Sequence, residues 1–218
     1  MRISHRHKFV FFSSPKTGSE SIRALLDPLS DVRDVQFPQA SEASPFYSHI
    51  RPTEARAAFA RFGWPYDDYY RFVFVRNPWK RMVSLYLMVR RLFPQYGGTF
   101  ADWLRAAQPD GPGGGGPDRA RWLKYGTYSL DAYAGDGNGR LLVDEVFRLE
   151  DVAEVPERLR ARGIPLAADA AVPWTNRTRA ATDLSQLYTP ELIALVGERY
   201  AKEIADFGYE YPGGQARG

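Results

Sequence analysis

Lys16 stands inside the stretch FVFFSSPKTGSES (Phe9 to Ser21), where an apolar block runs into Pro15, Lys16, Thr17 and Gly18 and turns polar at Ser19, Glu20 and Ser21. A cation between a strand and a helix start can hold a phosphate, because the first-turn amides carry partial positive charge and point out of the helix. A solvated turn lysine fits the same residues. Arg76 closes a second apolar run, and Ser84 follows eight positions on in RFVFVRNPWKRMVSLYL (Arg71 to Leu87). A guanidinium fork beside a neutral hydroxyl suits an oxyanion, and Lys80 and Arg81 are near enough in sequence to add field. The alternative pairs Arg76 with a carboxylate and leaves Ser84 on a helix surface. Between the two motifs lies His49, in Tyr47-Ser48-His49-Ile50. An imidazole titrates near neutrality and can take a proton from a hydroxyl or amine; a plain core or surface histidine is the other reading.

The elements that must position these groups are legible as alternating patterns. Lys8 to Ser13 is apolar and aromatic within its ends, which suits a strand buried on both faces of a mainly parallel sheet. Ile22, Leu25 and Leu26 then fall at helical spacing over Ser19 to Leu26, stopped by Pro28. The cycle repeats at Arg71 to Val75, followed by Asn77 as N-cap, Pro78 at the first helical position, and a stripe of Trp79, Met82, Val83, Tyr86 and Leu87 that ends near Pro94. Further on come a helix near Arg119 to Tyr125, an apolar stretch from Leu141 to Phe147 and an amphipathic helix from Val152 to Arg162. Thr189-Pro190-Glu191 opens a final helix carrying Leu192, Leu195, Val196, Arg199 and Tyr200. This alternation predicts an α/β fold with a parallel sheet flanked by helices on both faces. The expectation is one domain over residues 1–218, with a flexible Gly-rich loop near 109–117 and a frayed tail near 212–218.

Composition narrows the function. Lys+Arg 29 against Asp+Glu 26 leaves a net charge of +3, too small and too dispersed for a nucleic-acid footprint. With Cys 0 there is no disulfide, thiolate nucleophile or cysteine metal site, and three histidines do not suggest a metal cluster. The apolar run Phe9 to Phe12 is far too short for a signal-peptide core, and no run approaches the roughly 18 residues that span a membrane. These features set the expectation of a cytoplasmic protein without a membrane span.

The loop around Lys16 is neither G-x-x-x-x-G-K-[ST] nor G-x-G-x-x-G, since the lysine precedes the loop's glycine. Its order of strand, Pro-Lys-Thr-Gly-Ser and helix resembles the 5′-phosphosulfate loop of the sulfotransferases that use 3′-phosphoadenosine 5′-phosphosulfate (PAPS). Arg76 and Ser84 have the separation of that family's 3′-phosphate motif. The branch with bacterial and Golgi carbohydrate sulfotransferases also carries an R-x-E-D-like segment and a closing FGY-like helix end, here Arg148-Leu149-Glu150-Asp151 and Phe207-Gly208-Tyr209.

The resemblance implies a P-loop-NTPase-like sheet, PAPS as co-substrate and no metal. It implies that Lys16 stabilises charge on the leaving phosphate, that His49 is the base, and that Lys16, Thr17, Gly18, Ser19, Glu20 and Ser21 line the 5′ side while Arg76 and Ser84 hold the 3′-phosphate. Arg177 and Arg179, in Asn176-Arg177-Thr178-Arg179, are further candidates for the 3′-phosphate, against the reading of a solvated basic loop. His5 and His7 precede the first strand and are assigned to the opposite end of the sheet.

Glu20 departs from the pattern, because the family carries serine or threonine there. A capping box of Thr17 with Glu20, an outward-turned Glu20, and Glu20 as an acceptor-side base are all compatible with the sequence. The residue that stacks on adenine falls at Ser21 by position, so it is not identified. The resulting expectation is a PAPS-dependent sulfotransferase acting in line on a hydroxyl or amine acceptor, a carbohydrate or other small molecule. The alternatives are a P-loop-like nucleotide kinase and a non-catalytic nucleotide-binding module. A kinase would need a lysine after the loop glycine and an acidic metal ligand, neither of which is located here.

Overall fold

The computed structural model describes residues 1–107, 125–173 and 184–213. Its sheet has five strands in the order β3-β1-β2-β4-β5: β1 (Arg2–Ser4), β2 (Phe9–Phe12), β3 (Val32–Arg33), β4 (Tyr70–Val75) and β5 (Glu145–Arg148). β2, β4 and β5 run parallel, with Phe12 beside Val73 and Val75 beside Arg148. The expected α/β fold with a parallel centre is therefore present. A further strand precedes the one expected at Lys8 to Ser13, however: residues 5–8 turn the chain back, so β1 pairs antiparallel with β2, and β3 pairs antiparallel with β1. β3 is too short and too charged to carry a periodic signal.

β2 and the Phe72–Val75 part of β4 are apolar throughout because both faces are dry. On one face Phe9, Phe11, Phe72, Phe74 and Phe147 form the core with Ile22 and Leu26 of α1 (Ser19–Leu26), and with Val155 and Leu159 of the helix Val155–Ala161. Val10, Phe12, Val73 and Val75 on the other face are equally buried. At roughly 1.5–3 kcal/mol for each fully buried large side chain, this double layer fixes where the strands end. Those ends are where the loops with candidate chemistry begin.

Two compact units divide the chain. The first holds the whole sheet with α1, α2 (Pro52–Arg61), α5 (Leu130–Ala134) and α6 (Val155–Ala161). The second begins at Arg76 and holds α3 (Pro78–Leu92), α4 (Phe100–Ala106), α7 (Pro190–Arg199) and α8 (Ala201–Phe207). Asn77 caps α3 by accepting from the Lys80 amide, with Pro78 in the first turn, as its sequence predicts. Thr189 caps α7 in the same way, through the Leu192 amide. The expected final helix is two helices meeting at Tyr200, and Gly208 (φ 62) ends α8 in the left-handed conformation. The helix expected near Arg119, the Gly-rich loop and the end of the tail from residue 214 lie outside the described residues.

Candidate active site

Ser13 to Gly18 joins the carboxyl end of β2 to α1. Two residues there adopt positive φ, Lys16 at 66 and Gly18 at 80. For glycine this is ordinary, whereas for lysine it costs roughly 1–2 kcal/mol. Outliers of this kind gather at functional loops, where the surrounding structure holds them. The Thr17 hydroxyl, fully buried, donates to the Ser14 carbonyl at 2.8 Å and closes the turn from inside. A Cβ on Gly18 would overlap a methyl group of Leu149, so the loop backbone lies against the Arg148-to-Asp151 segment and glycine is favoured on both counts. Leu149 follows β5 directly and Ser13 follows β2 directly, which puts both segments at the carboxyl edge of the parallel strands.

The capping box does not form. Gly18 is the N-cap of α1 and makes no side-chain cap hydrogen bond, so Glu20 is the second helical residue rather than the third. Its side chain is exposed. Thr17 cannot reach forward to cap, because its hydroxyl is turned back to Ser14. The first-turn amides of α1 are therefore not taken by a box, which favours an anion there.

His49 lies at this same strand end. Its Nδ1 is 2.6 Å from the Ser13 carbonyl oxygen. The segment that carries it is fastened on its other side: the Met1 amino group donates to the Ser48 carbonyl at 3.0 Å and pairs with Asp34. Asp34 also pairs with Arg2 and, at 3.0 Å, with Arg23 of α1. Burial opposes the Asp34 charge, but the Met1 amine, the Ser48 hydroxyl and the two arginines outweigh it and hold the carboxyl well below the usual carboxylate range. Burial first, with the Met1 amine and Arg23 behind it, pushes the half-buried His49 imidazole down to about 4 against the pull of the Ser13 hydrogen bond and Asp34. His49 is thus neutral at pH 7, the state a proton acceptor needs. Lys16 and His49, widely separated in sequence, are brought to one loop through Ser13.

Arg76, half-buried, directly precedes the cap of α3, and Ser84, also half-buried, sits on that helix. The side-chain Nδ2 of Asn77 donates to the Glu210 carbonyl at 2.8 Å and ties the helix start to the segment after Phe207-Gly208-Tyr209. Arg81 does not add field to this site. It is buried within the second unit, paired with the equally buried Glu203 at 3.3 Å, donates to the Tyr128 carbonyl at 3.1 Å and lies over the Tyr200 ring. Lys80 is exposed. Arg177 and Arg179 lie outside the described residues.

His5 and His7 occupy the β1–β2 turn at the opposite end of the strands, where His5 contacts the Tyr69 hydroxyl at 2.8 Å and the edge of Trp64. A cavity of about 170 Å³ also lies at that far end, walled by Arg56, Arg71, Arg140, Asp67 and Asp144. Arg71 is committed there to both carboxylates. Among the described residues no three His, Asp or Glu side chains gather as metal ligands, and no helix is long and apolar enough to cross a membrane.

Ser13 and Leu149 are the site residues that sequence reading missed. Ser13 acts through a carbonyl that every residue type possesses, so no signal could have marked it. Leu149 was visible only as the variable position of R-x-E-D.

The sulfotransferase family model matches residues 1–113. A search of curated proteins returned no match. Among solved structures, the crystal structure of a sulfotransferase from Alicyclobacillus acidocaldarius is 18% identical with a TM-score of 0.41, over 97% of this chain and 85% of that one.

Proposed function

The chain belongs to the sulfotransferase family, and from that premise we propose that it transfers a sulfuryl group from PAPS to a hydroxyl or amine acceptor of the carbohydrate or small-molecule class, with residues 1–218 acting as one sulfotransferase domain. The observation that carries the proposal is the meeting of a left-handed Lys16 and a neutral His49 at the strand end formed by Ser13.

The donor supplies an activated sulfuryl group whose bridging S–O bond breaks as sulfur bonds to the acceptor. Lys16 sets a positive charge where negative charge grows on the departing phosphate. Amides of the first turn of α1 bind the 5′ side, where Gly18 lets the backbone approach closely. The Ser13 hydroxyl, fully buried at the same strand end, has no hydrogen-bond partner among the described residues. Left unsatisfied, such a group costs about 1–3 kcal/mol. Arg76 and Ser84 are assigned to the 3′-phosphate through a charged fork and a neutral hydroxyl. Arg177 and Arg179 are assigned a supporting role there. His49 accepts the acceptor's proton.

Calorimetry with 3′-phosphoadenosine 5′-phosphate, ADP and ATP tests this directly. The expected result is a clear preference for the 3′-phosphorylated nucleotide that Arg76→Ala removes. Equal affinity for all three, or a preference that survives Arg76→Ala, would overturn the reading.

A further inference from the structure

A backbone carbonyl oxygen has lone pairs and no proton, so it can only accept. The imidazole nitrogen 2.6 Å from the Ser13 carbonyl must therefore carry hydrogen. In a neutral ring the other nitrogen then holds the lone pair. We infer that the Ser13 carbonyl fixes His49 as the tautomer protonated at Nδ1, making Nε2 the atom that takes the acceptor's proton and Ser13 a positioning residue for the base. This rests on the assignment of His49 as base.

The choice of a carbonyl over a carboxylate has a chemical consequence. A carboxylate would fix the same tautomer but would also stabilise imidazolium and raise the basicity of Nε2. Ser13 orients the ring without that charge. The titratable groups facing His49 from the elements around it are the Met1 amine, itself pushed down to about 4 by burial, Arg23 and Asp34; Arg23 opposes protonation of the ring, Asp34 favours it, and burial is the larger influence. A base so weak does not deprotonate a hydroxyl in advance. The proton moves to Nε2 only after bonding to sulfur has made the acceptor oxygen acidic, and the push on the reaction comes from Lys16 at the leaving phosphate. The same four-residue span, Ser13 to Lys16, thus orients the base and the leaving-group cation from the end of one strand.

Side-chain nitrogen NMR on protein labelled at its three histidines reads the tautomer without any turnover, the His49 signals being those lost in His49→Gln. The expected pattern is a protonated Nδ1 and an unprotonated Nε2, unchanged as pH falls well below the ordinary imidazole value of about 6.5. Ser13→Ala, which keeps the carbonyl, should leave that pattern intact. A neutral ring with its proton on Nε2 overturns the inference whatever the activity; conversion to imidazolium near about 6.5 overturns the account of His49 as a weakened base. His49→Asn offers a separate arm, since its amide can donate to Ser13 from the place of Nδ1 but has nothing at Nε2. It should keep a melting temperature closer to wild type than His49→Ala while kcat falls about 10²–10⁴-fold. Retained kcat in His49→Asn with the expected NMR pattern would overturn the base assignment, and with it the role of Nε2, leaving only the tautomer standing.

Discussion

Leu149 fills the space that a side chain on Gly18 would need, so the loop after β2 and the segment after β5 are fitted to each other through one missing methyl group. Gly18→Ala must accept both a left-handed backbone, about 1–2 kcal/mol for a non-glycine residue, and overpacking, about 1–3 kcal/mol. Urea denaturation should show a loss of about 2–5 kcal/mol. Combining it with Leu149→Ala should return the packing share and leave the backbone share. A loss below about 1 kcal/mol in Gly18→Ala would mean that Leu149 yields without cost.

Lys16 carries a conformation that suits glycine better than lysine. Lys16→Ala and Lys16→Gly both remove the ammonium group, but only glycine relieves the backbone. Lys16→Gly should therefore be more stable than Lys16→Ala by about 1 kcal/mol, while both variants lose sulfuryl transfer to the same extent. Equal stability of the two would show that the loop relaxes when the side chain is gone.

These two residues also show how much was legible. The apolar runs at Phe9 and Phe72 and the helix start at Pro78 could be read from sequence, because burial on both faces and helix capping each impose a residue type, and α1 could be read from the spacing of Ile22, Leu25 and Leu26. The early hairpin could not, because β1 is a three-residue strand that pairs through backbone groups. Helix α2 was overlooked although Pro52 and Glu54 mark its start, with Glu54 accepting from the Arg51 amide at 3.1 Å. At the site, Lys16, Gly18 and His49 were nameable by type. Their meeting through Ser13, and the burial of Arg81, depend on contacts distant in sequence and had no local signature.

The depressed His49 value has a defined direction for stability. The imidazole sits at about 4 in the folded protein and near 6.5 when unfolded. Between those values the unfolded chain binds the extra proton, so stability falls as pH falls through that window. Denaturation midpoints for wild type and His49→Gln should converge as pH falls from about 6.5 toward 4, apart from the shared titrations of Asp34 and the Met1 amine. The acid limb of kcat should likewise lie near 4 rather than 6.5. An acid limb at 6.5 would mean that His49 is protonated as easily as in water.

Arg81 and Glu203 form an ion pair with almost no solvent contact, Arg81 2% and Glu203 1% exposed at the side chain. Burial opposes the guanidinium charge, yet the Glu203 carboxylate and Tyr200 raise its value above the ordinary one. Removing one partner strands a buried charge, so Glu203→Gln should cost about 3–5 kcal/mol. Arg81→Met together with Glu203→Leu should recover most of that in urea denaturation, because an apolar pair leaves no charge behind. If the double variant is as unstable as the single one, the Arg81 bond to the Tyr128 carbonyl is the larger contribution.

Glu20 is exposed in the first turn of α1 and is not a partner of Thr17 in a capping box, which sets two effects against each other. A carboxylate there interacts favourably with the positive helix end by about 0.3–1 kcal/mol. The same carboxylate repels a phosphate drawn to those amides by roughly 1 kcal/mol at a solvated separation of a few ångströms. Glu20→Ser should therefore lower stability by less than about 1 kcal/mol while tightening 3′-phosphoadenosine 5′-phosphate a few-fold, and the gain should shrink as salt is added. Catalytic turnover should persist. A loss of kcat in Glu20→Ser comparable to that of His49→Asn would instead give the proton-accepting role to Glu20.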